Sequence, residues 1–320
     1  MRSSLVVTLV LALTVLAELA DAEPATLYRG MCDASAAVAL DKDHFVVADD
    51  ELNVMRIYKR DQPDSVAQVD LSSFLDTEPD KESDLEGAAA IGNRIFWISS
   101  HGTNKDGKVQ DRRRRLFASE LVTATVPTVR AVGKPYSKLV EDLAADPRFA
   151  KYGLAEAATK PPKTKGALNI EGLAATADGR LLVGFRNPLP GDNALVVSID
   201  NPDEVITGAP TKLGEPIEIK LGGRGIRSFE RIGTSYLIVA GPIDGKGSFD
   251  LYRWSGKSAD DPAIVPNVDL SGLNPEALFA IPNTEEVQIL SDDGTVEVDG
   301  TECKDAQRKS QQFRSLTVKP

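Results

Sequence analysis

The stretch Asp84-Leu-Glu-Gly-Ala-Ala-Ala-Ile, followed by Arg94-Ile-Phe-Trp-Ile-Ser-Ser-His-Gly, has a second copy 85 residues later. That copy reads Asn169-Ile-Glu-Gly-Leu-Ala-Ala-Thr, followed by Arg180-Leu-Leu-Val-Gly-Phe-Arg-Asn. Each copy consists of a strand that begins at Glu-Gly, a tight polar turn and a second, mostly apolar strand. Self-similarity of this kind is typical of repeat architectures, in which each unit buries its apolar face against its neighbours.

Three weaker copies of the same pattern occur, around Ser35, Arg227 and Glu276. With Glu86 and Glu171 they form a register whose gaps are 51, 85, 56 and 49 residues. Four-stranded propeller blades repeat every ~40–50 residues, so three of the gaps fit one blade each. The sequence therefore predicts an all-β protein, a β-propeller of five blades, with six blades as the alternative.

The gap of 85 residues contains a predicted helical insertion at 134–165. Ser137 is the expected N-cap of a helix over Lys138 to Ala145, and Asp146-Pro147 is expected to begin a second short helix. We also consider that this insertion acts as a lid over the site.

The two ends of the chain are predicted to meet in the last blade. That blade lacks one strand after Phe313, and the N-terminal segment Ala25-Thr-Leu-Tyr-Arg can fill the gap. The only cysteines, Cys32 and Cys303, lie close to these two segments in sequence. In an exported protein a disulfide is expected, and it would lock the closed ring.

Residues 1–22 are predicted to be an export signal. Arg2 precedes an apolar run from Leu5 to Ala17, and Ala20-Asp21-Ala22 fits a cleavage site. We therefore expect a periplasmic or extracellular location, a single propeller domain over 23–320 and no membrane span. The formal net charge is −11 for the whole chain. Nucleic acid is not expected as a partner, because its binding needs a basic face.

The chain resembles a family of exported bacterial proteins, domain of unknown function 3616. The resemblance covers nearly the whole mature chain and depends on stretches that include Val47-Ala-Asp-Asp-Glu, Asp84-Leu-Glu-Gly-Ala, Ser99-Ser-His-Gly-Thr-Asn-Lys-Asp-Gly, Arg113-Arg-Arg-Leu-Phe-Ala and Ser291-Asp-Asp-Gly. It implies no activity.

More distantly, the Glu-Gly-Leu-Ala and Asp-Gly-Arg-Leu pattern is similar to esterase-like phytases and gluconolactonase-type propellers. That resemblance implies that the Glu of Glu-Gly faces the central channel and helps to bind calcium or another divalent cation. Glu86 and Glu171 match this position, whereas Glu276 is followed by alanine. The Asn and Asp ligands of the lactonase type have no assignable counterparts.

Residues at the same register position of a propeller meet around the channel. We expect Glu86, Glu171, Glu276 and Arg227 to converge at one mouth, where they bind a divalent cation or act as acid and base. The alternative is that Arg227 neutralises the glutamates in an ion-pair ring without a ligand. The ends of the second strands supply a further set of candidates: Asp50, His101, Arg186 and Asp293. Of these, His101 and Arg186 are catalytic candidates, and the two aspartates are metal ligands.

The sequence leaves two functions open. The first is an ester or phosphoester hydrolase that uses the carboxylates of the mouth, with calcium or another divalent cation as a candidate cofactor. The second is a non-catalytic propeller that binds a small molecule or a protein at the mouth. A serine hydrolase is disfavoured because no Gly-x-Ser-x-Gly elbow occurs. The pattern does not determine the oligomeric state.

Overall fold

A computed structural model describes residues 25–78 and 81–320. The predicted export signal lies outside these residues. The strands, in chain order, are β1 (Thr26–Arg29), β2 (Ala34–Ala39), β3 (His44–Asp49), β4 (Val54–Lys59), β5 (Ser65–Asp70), β6 (Leu85–Ile91), β7 (Arg94–Ser99), β8 (Leu116–Val122), β9 (Thr128–Tyr136), β10 (Asn169–Ala175), β11 (Leu181–Asn187), β12 (Ala194–Ile199), β13 (Ile217–Ile219), β14 (Gly225–Ile232), β15 (Ser235–Gly241), β16 (Asp250–Trp254), β17 (Ala263–Ile264), β18 (Pro275–Ala280), β19 (Val287–Ser291), β20 (Glu297–Val298), β21 (Thr301–Glu302) and β22 (Gln312–Val318).

Twenty of these strands form five antiparallel sheets of four, which are the blades. Blades 1 to 4 are β2–β5, β6–β9, β10–β13 and β14–β17, each in sequence order. Blade 5 has the order β18-β19-β22-β1. The innermost strand of every blade contacts the innermost strands of both neighbours. The prediction of a five-bladed propeller is therefore confirmed.

The hydrophobic core lies between the blades, in five clusters that each join two adjacent blades. Strand β3 shows how the sequence achieves this. Successive side chains of a strand point to opposite faces. Val46 and Ala48 pack toward blade 2, whereas Phe45 and Val47 pack toward blade 5. Both faces of the inner strands are buried, which explains why β2 and β3 are almost continuously apolar.

The N-terminal strand closes the ring, as predicted. In β1, Tyr28 pairs with Phe313 of β22, and its buried ring packs against Phe45 and Tyr58 of blade 1. The disulfide between Cys32 and Cys303 is also confirmed, with 5.9 Å between the Cα atoms. It joins the segment after β1 to the loop of blade 5 that contains the hairpin β20-β21 and a short 3₁₀ helix, Cys303–Asp305.

The remaining helices are short: α1 (Ser72–Leu75), α2 (Leu139–Ala145), α3 (Leu154–Ala157) and α4 (Pro202–Val205), with 3₁₀ turns at Asp111–Arg113, Pro147–Tyr152 and Pro190–Asp192. Helices α2 and α3 lie in the predicted insertion and pack on the core between blades 2 and 3. The N-cap of α2 is Lys138 rather than Ser137, and no side chain caps it. Asp146 accepts a hydrogen bond from the Arg148 amide and so caps the next turn.

No helix within the described residues is long and apolar enough to cross a membrane.

Candidate functional site

The five residues of the sequence register share one backbone feature. In each blade the pairing of the innermost strand with the second strand shifts at this residue, which leaves it as the extra residue of a β-bulge. The five are Ser35, Glu86, Glu171, Arg227 and Glu276. A bulge bends the strand and re-aims a side chain. Four of the five line one cavity of about 670 Å³ at a mouth of the channel. Ser35 donates a hydrogen bond from its hydroxyl to Glu276 Oε2, at 3.3 Å.

Arg227 lies between two glutamates of neighbouring blades. Its Nη1 is 3.1 Å from Glu171 Oε2, and its Nη2 forms an ion pair with Glu276. Arg186 adds a second ion pair to Glu171, with 2.7 Å between Nη1 and Oε1. Burial, together with the neighbouring Arg186, lowers the pKa of Arg227 to about 10, so this guanidinium is still charged at neutral pH. On this side of the mouth two arginines balance two glutamates.

The opposite side of the mouth is acidic. Carboxylate oxygens of Asp50, Asp84 and Glu86 all lie within 4.8 Å of one another. Glu86 is 7% exposed, and its Oε2 has no hydrogen-bond partner within the described part of the chain. Burial raises the pKa of Glu86 well above its usual value, and the neighbouring carboxylates of Glu171 and Asp84 raise it further. Burial likewise raises the pKa of Asp50, and the carboxylates of Glu86 and Asp292 raise it further.

Asp84 has partners of its own. Ser100 donates its hydroxyl hydrogen bond to Asp84 Oδ2, and Arg113 Nη1 lies 3.1 Å from the same oxygen. Burial nevertheless raises the pKa of Asp84 to about 7. Arg113 is also shared with Glu82, so it compensates only part of the negative charge of the acidic side.

Three further aspartates extend the acidic side. Burial, with Asp292 and Asp49 nearby, raises the pKa of Asp33 to about 9, and burial raises that of Asp49 to about 7. Asp292 lines the cavity and accepts hydrogen bonds from the Gly294 amide at 2.8 Å and from Asn274 Nδ2 at 3.1 Å. Hard divalent cations prefer carboxylate oxygens, so these acidic clusters have the donors for a metal ion.

Two of the predicted site residues lie outside this arrangement. The His101 ring is fully buried, its Nδ1 is 2.8 Å from the carbonyl oxygen of Ser99, and it does not line the cavity. Burial lowers the pKa of His101 to about 4, so the ring is neutral at pH 7. Asp293 is bound by Arg314, with 2.7 Å between Oδ1 and Nη2, and by the Ser291 hydroxyl. Asp292, one residue earlier, faces the cavity instead.

Sequence reasoning did not select the residues two positions before the register residues. These are Asp33, Asp84, Asn169 and Asn274. Asn169 Nδ2 donates to Glu171 Oε1 at 2.9 Å, and Asp84 joins Glu86 in the acidic cluster. Their signal was present in the sequence, because an Asp or Asn recurs two residues before the register residue in four of the five blades.

The rest of the cavity wall comes from loops. Pro162 and Lys163, at the end of the insertion, line it together with the glycine-rich loop 244–247 and the ring of Phe249. The helices of the insertion pack on the side of the propeller instead. Of the predicted insertion, its last residues are therefore the part that borders the site.

Fold and site together define a β-propeller with a charged cavity at one channel mouth. The family of proteins of unknown function DUF3616 matches residues 33–132 and 123–288. The chain belongs to the DUF3616 family, as its sequence motifs predict.

Among solved structures, the chain is similar to the glutaminyl cyclase of Myxococcus xanthus, with a TM-score of 0.47 and 11% identity over 93% of this chain and 95% of the other. It is also similar to the PQQ-bound aldose sugar dehydrogenase of Streptomyces coelicolor, with a TM-score of 0.42 and 10% identity over 92% and 99% of the two chains. No curated protein matches it in sequence.

Proposed function

We propose that this protein is a divalent-cation-dependent hydrolase of ester or phosphoester bonds, with its site at the acidic channel mouth. The observation that supports this most directly is the carboxylate of Glu86. It is buried beside Asp50 and Asp84, and its Oε2 has no partner among residues 25–78 and 81–320. An uncompensated buried carboxylate is costly, and a bound cation would remove that cost.

The charges around Glu86 favour a cation over a protein side chain. Arg227 and Arg186 already neutralise Glu171 and Glu276 on the other side of the mouth. Within the described chain, the acidic group of Asp50, Asp84 and Glu86 has one close guanidinium, that of Arg113. Three carboxylates with waters are a common ligand set for Ca²⁺, which takes six to eight oxygens.

The residues divide the chemistry between the two sides of the mouth. A divalent ion held by the acidic group would supply a Lewis acid and an ionised water. Arg186 and Arg227 line the same cavity, and the Nε of each has no hydrogen-bond partner in the described chain. In this proposal the two guanidinium groups stabilise the negative charge that develops on a carbonyl or phosphoryl oxygen. Asp292, held by Asn274, is the candidate for accepting a proton from the attacking water.

The test is a set of thermal melts in calcium and in excess chelator. A cation at 100 times its Kd stabilises the native state by about 2.7 kcal/mol. We expect calcium to raise the Tm of the wild type and to leave that of Glu86→Gln nearly unchanged. The exposed Glu286→Gln is the control and should respond like the wild type. A calcium shift that survives in Glu86→Gln would contradict the assignment of the ligands.

Turnover is tested on p-nitrophenyl acetate and p-nitrophenyl phosphate in calcium. Hydrolysis that disappears in Glu86→Gln and persists in Glu286→Gln supports the enzyme. Calcium binding without turnover favours the second candidate, a non-catalytic propeller that binds a ligand at the mouth. The observation in its favour is that Glu171 and Glu276 are held in ion pairs with arginines, as in a structural ring.

A further inference from the structure

Two exposed lysines, Lys163 and Lys246, line the cavity at the channel mouth. Neither side chain forms an ion pair or a hydrogen bond with any residue of 25–78 and 81–320. We propose that Lys163 and Lys246, together with Arg186, form a subsite for an oxyanion group of a small-molecule substrate, a phosphate or a carboxylate. This inference rests on the proposed function and specifies its substrate class.

The backbone around Lys163 is fixed by Asn187, the last residue of β11, which is 1% exposed. Asn187 Nδ2 donates hydrogen bonds to the carbonyl oxygens of Pro162 and Thr164, at 3.1 and 2.7 Å. Its Oδ1 accepts a hydrogen bond from the Gly166 amide at 3.2 Å. One buried amide side chain therefore holds the chain on both sides of Lys163. Because this loop is already ordered, less conformational entropy is lost when the lysine binds a ligand.

The loop that carries Lys246 lies against Arg186. Asp244 Oδ1 accepts a hydrogen bond from the Lys246 amide at 3.0 Å, which closes a tight turn. Gly245 is part of this turn, and a Cβ there would be 3.9 Å from Arg186 Nη2. The ion pair with Glu171 uses Arg186 Nη1, and no residue of the described chain accepts a hydrogen bond from Nη2. Arg186 thus has free donors beside the loop of Lys246.

The charges on this side of the mouth favour an anionic ligand over a neutral one. Arg186 and Arg227 are neutralised by Glu171 and Glu276. The two lysines add two positive charges to the cavity wall, and Asp244 offsets one of them. Lysine ammonium and arginine guanidinium groups form strong, charge-assisted hydrogen bonds to phosphate and carboxylate oxygens. A substrate with an oxyanion group would therefore gain a partner for the lysines that a neutral ester does not supply.

Anion binding by metal-free protein tests the subsite without the proposed cation. The protein is passed over a chelating resin, and inorganic phosphate and succinate are titrated separately by calorimetry at low ionic strength. We expect at least one of them to bind, and we expect its Kd to rise about tenfold or more in the double variant Lys163→Ala, Lys246→Ala. Phosphate alone would indicate a phosphorylated substrate, and succinate alone a carboxylate. Lys165→Ala is the control, since Lys165 is exposed, 3.9 Å from Asp192 and outside the lining of this cavity.

Kinetics in calcium test whether the lysines select the substrate. For p-nitrophenyl phosphate, or for mono-p-nitrophenyl succinate if the carboxylate binds better, KM should rise about tenfold in the double variant, and kcat should change much less. For the neutral p-nitrophenyl acetate, KM should stay as in the wild type. An equal loss with neutral and anionic substrates would overturn the inference, because the lysines would then not recognise the anionic group.

Failure of this inference and failure of the proposed function give different results. Metal-free protein that binds neither phosphate nor succinate overturns the subsite, and so does binding that is as tight in the double variant as in the wild type. Calcium-dependent hydrolysis of p-nitrophenyl acetate alongside either result leaves the proposed function intact. Anion binding that requires the lysines, in a protein that calcium does not stabilise, overturns the proposed cation site and leaves the subsite. Near-ultraviolet circular dichroism checks the fold of each variant.

Discussion

Replacing Arg227 by methionine removes the guanidinium that joins the glutamates of blades 3 and 5. Arg227 is 2% exposed, and a methionine side chain fills most of its volume. The substitution therefore does not expose the two glutamates to water. Glu171 keeps the ion pair with Arg186, at 2.7 Å. Among the residues that the structure describes, Glu276 keeps only long hydrogen bonds, from the Ser35 hydroxyl at 3.3 Å and from Asn274 Nδ2 at 3.4 Å. The variant therefore leaves one buried carboxylate without a cation.

Removal of one partner of a buried ion pair costs about 3–5 kcal/mol. For a chain of this size each kcal/mol lowers the Tm by roughly 2–4 °C, so we expect a fall of about 10 °C. The measurement is urea unfolding at neutral pH in chelator, with thermal melts in parallel. Arg231→Met on the same strand is the matched control. Arg231 is partly exposed and donates to the Gly233 carbonyl oxygen, so its loss should cost less than about 1 kcal/mol.

A double variant identifies the cause. If the loss of stability is caused by the unpaired Glu276 carboxylate, the double variant Arg227→Met, Glu276→Gln should be more stable than Arg227→Met alone. The coupling energy of the cycle should then exceed about 1 kcal/mol. Two results would contradict this expectation. In the first, Arg227→Met lowers the free energy of unfolding no more than Arg231→Met does. In the second, the losses of stability of the two single variants simply add in the double variant.

Two further predictions concern the same region. Burial and neighbouring carboxylates raise the pKa of Asp33 to about 9 and that of Asp84 to about 7. The folded protein in chelator therefore holds protons that the unfolded chain has released above about pH 4. Stability should fall between pH 5 and pH 9, and urea unfolding should show a smaller fall in Asp33→Asn or in calcium. Replacement of Cys32 and Cys303 by alanine opens a 271-residue loop. It should cost up to roughly 5 kcal/mol, and an unchanged urea midpoint would contradict this.

Much of the fold could be predicted from the sequence because its main signals are local. The Glu-Gly register gave the number of blades, and the missing last strand gave the closure by β1. The disulfide was expected because the chain is predicted to be exported, and the two cysteines lie beside that closure. The cap of α2 was missed because capping depends on backbone direction, and Ser137 precedes the first helical residue by two positions.

The site could be predicted only in outline. The convergence of Glu86, Glu171, Glu276 and Arg227 followed from the register, whereas the ion pair between Arg186 and Glu171 did not. Blade 4 lies between blades 3 and 5, so Arg227 forms ion pairs with their two glutamates. Asp292 and Asp293 are adjacent, so their side chains point in different directions and only one faces the cavity. An alignment of the repeats that is uncertain by one residue cannot tell which of the two it is.

The bulges in the innermost strands separate the side chains of the mouth from the backbone pairing within each blade. Each bulge residue is the extra residue that is left out of the pairing between the first two strands. A change of its side chain therefore leaves the backbone hydrogen bonds of the sheet in place. The five positions hold Ser, Glu, Glu, Arg and Glu. A single codon change at any of them alters one sector of the mouth and leaves the ladder of its blade intact. The hydrogen-bond ladder of each blade is thus independent of these five side chains, whereas the ion pairs that Arg227 forms across the mouth join one blade to the next.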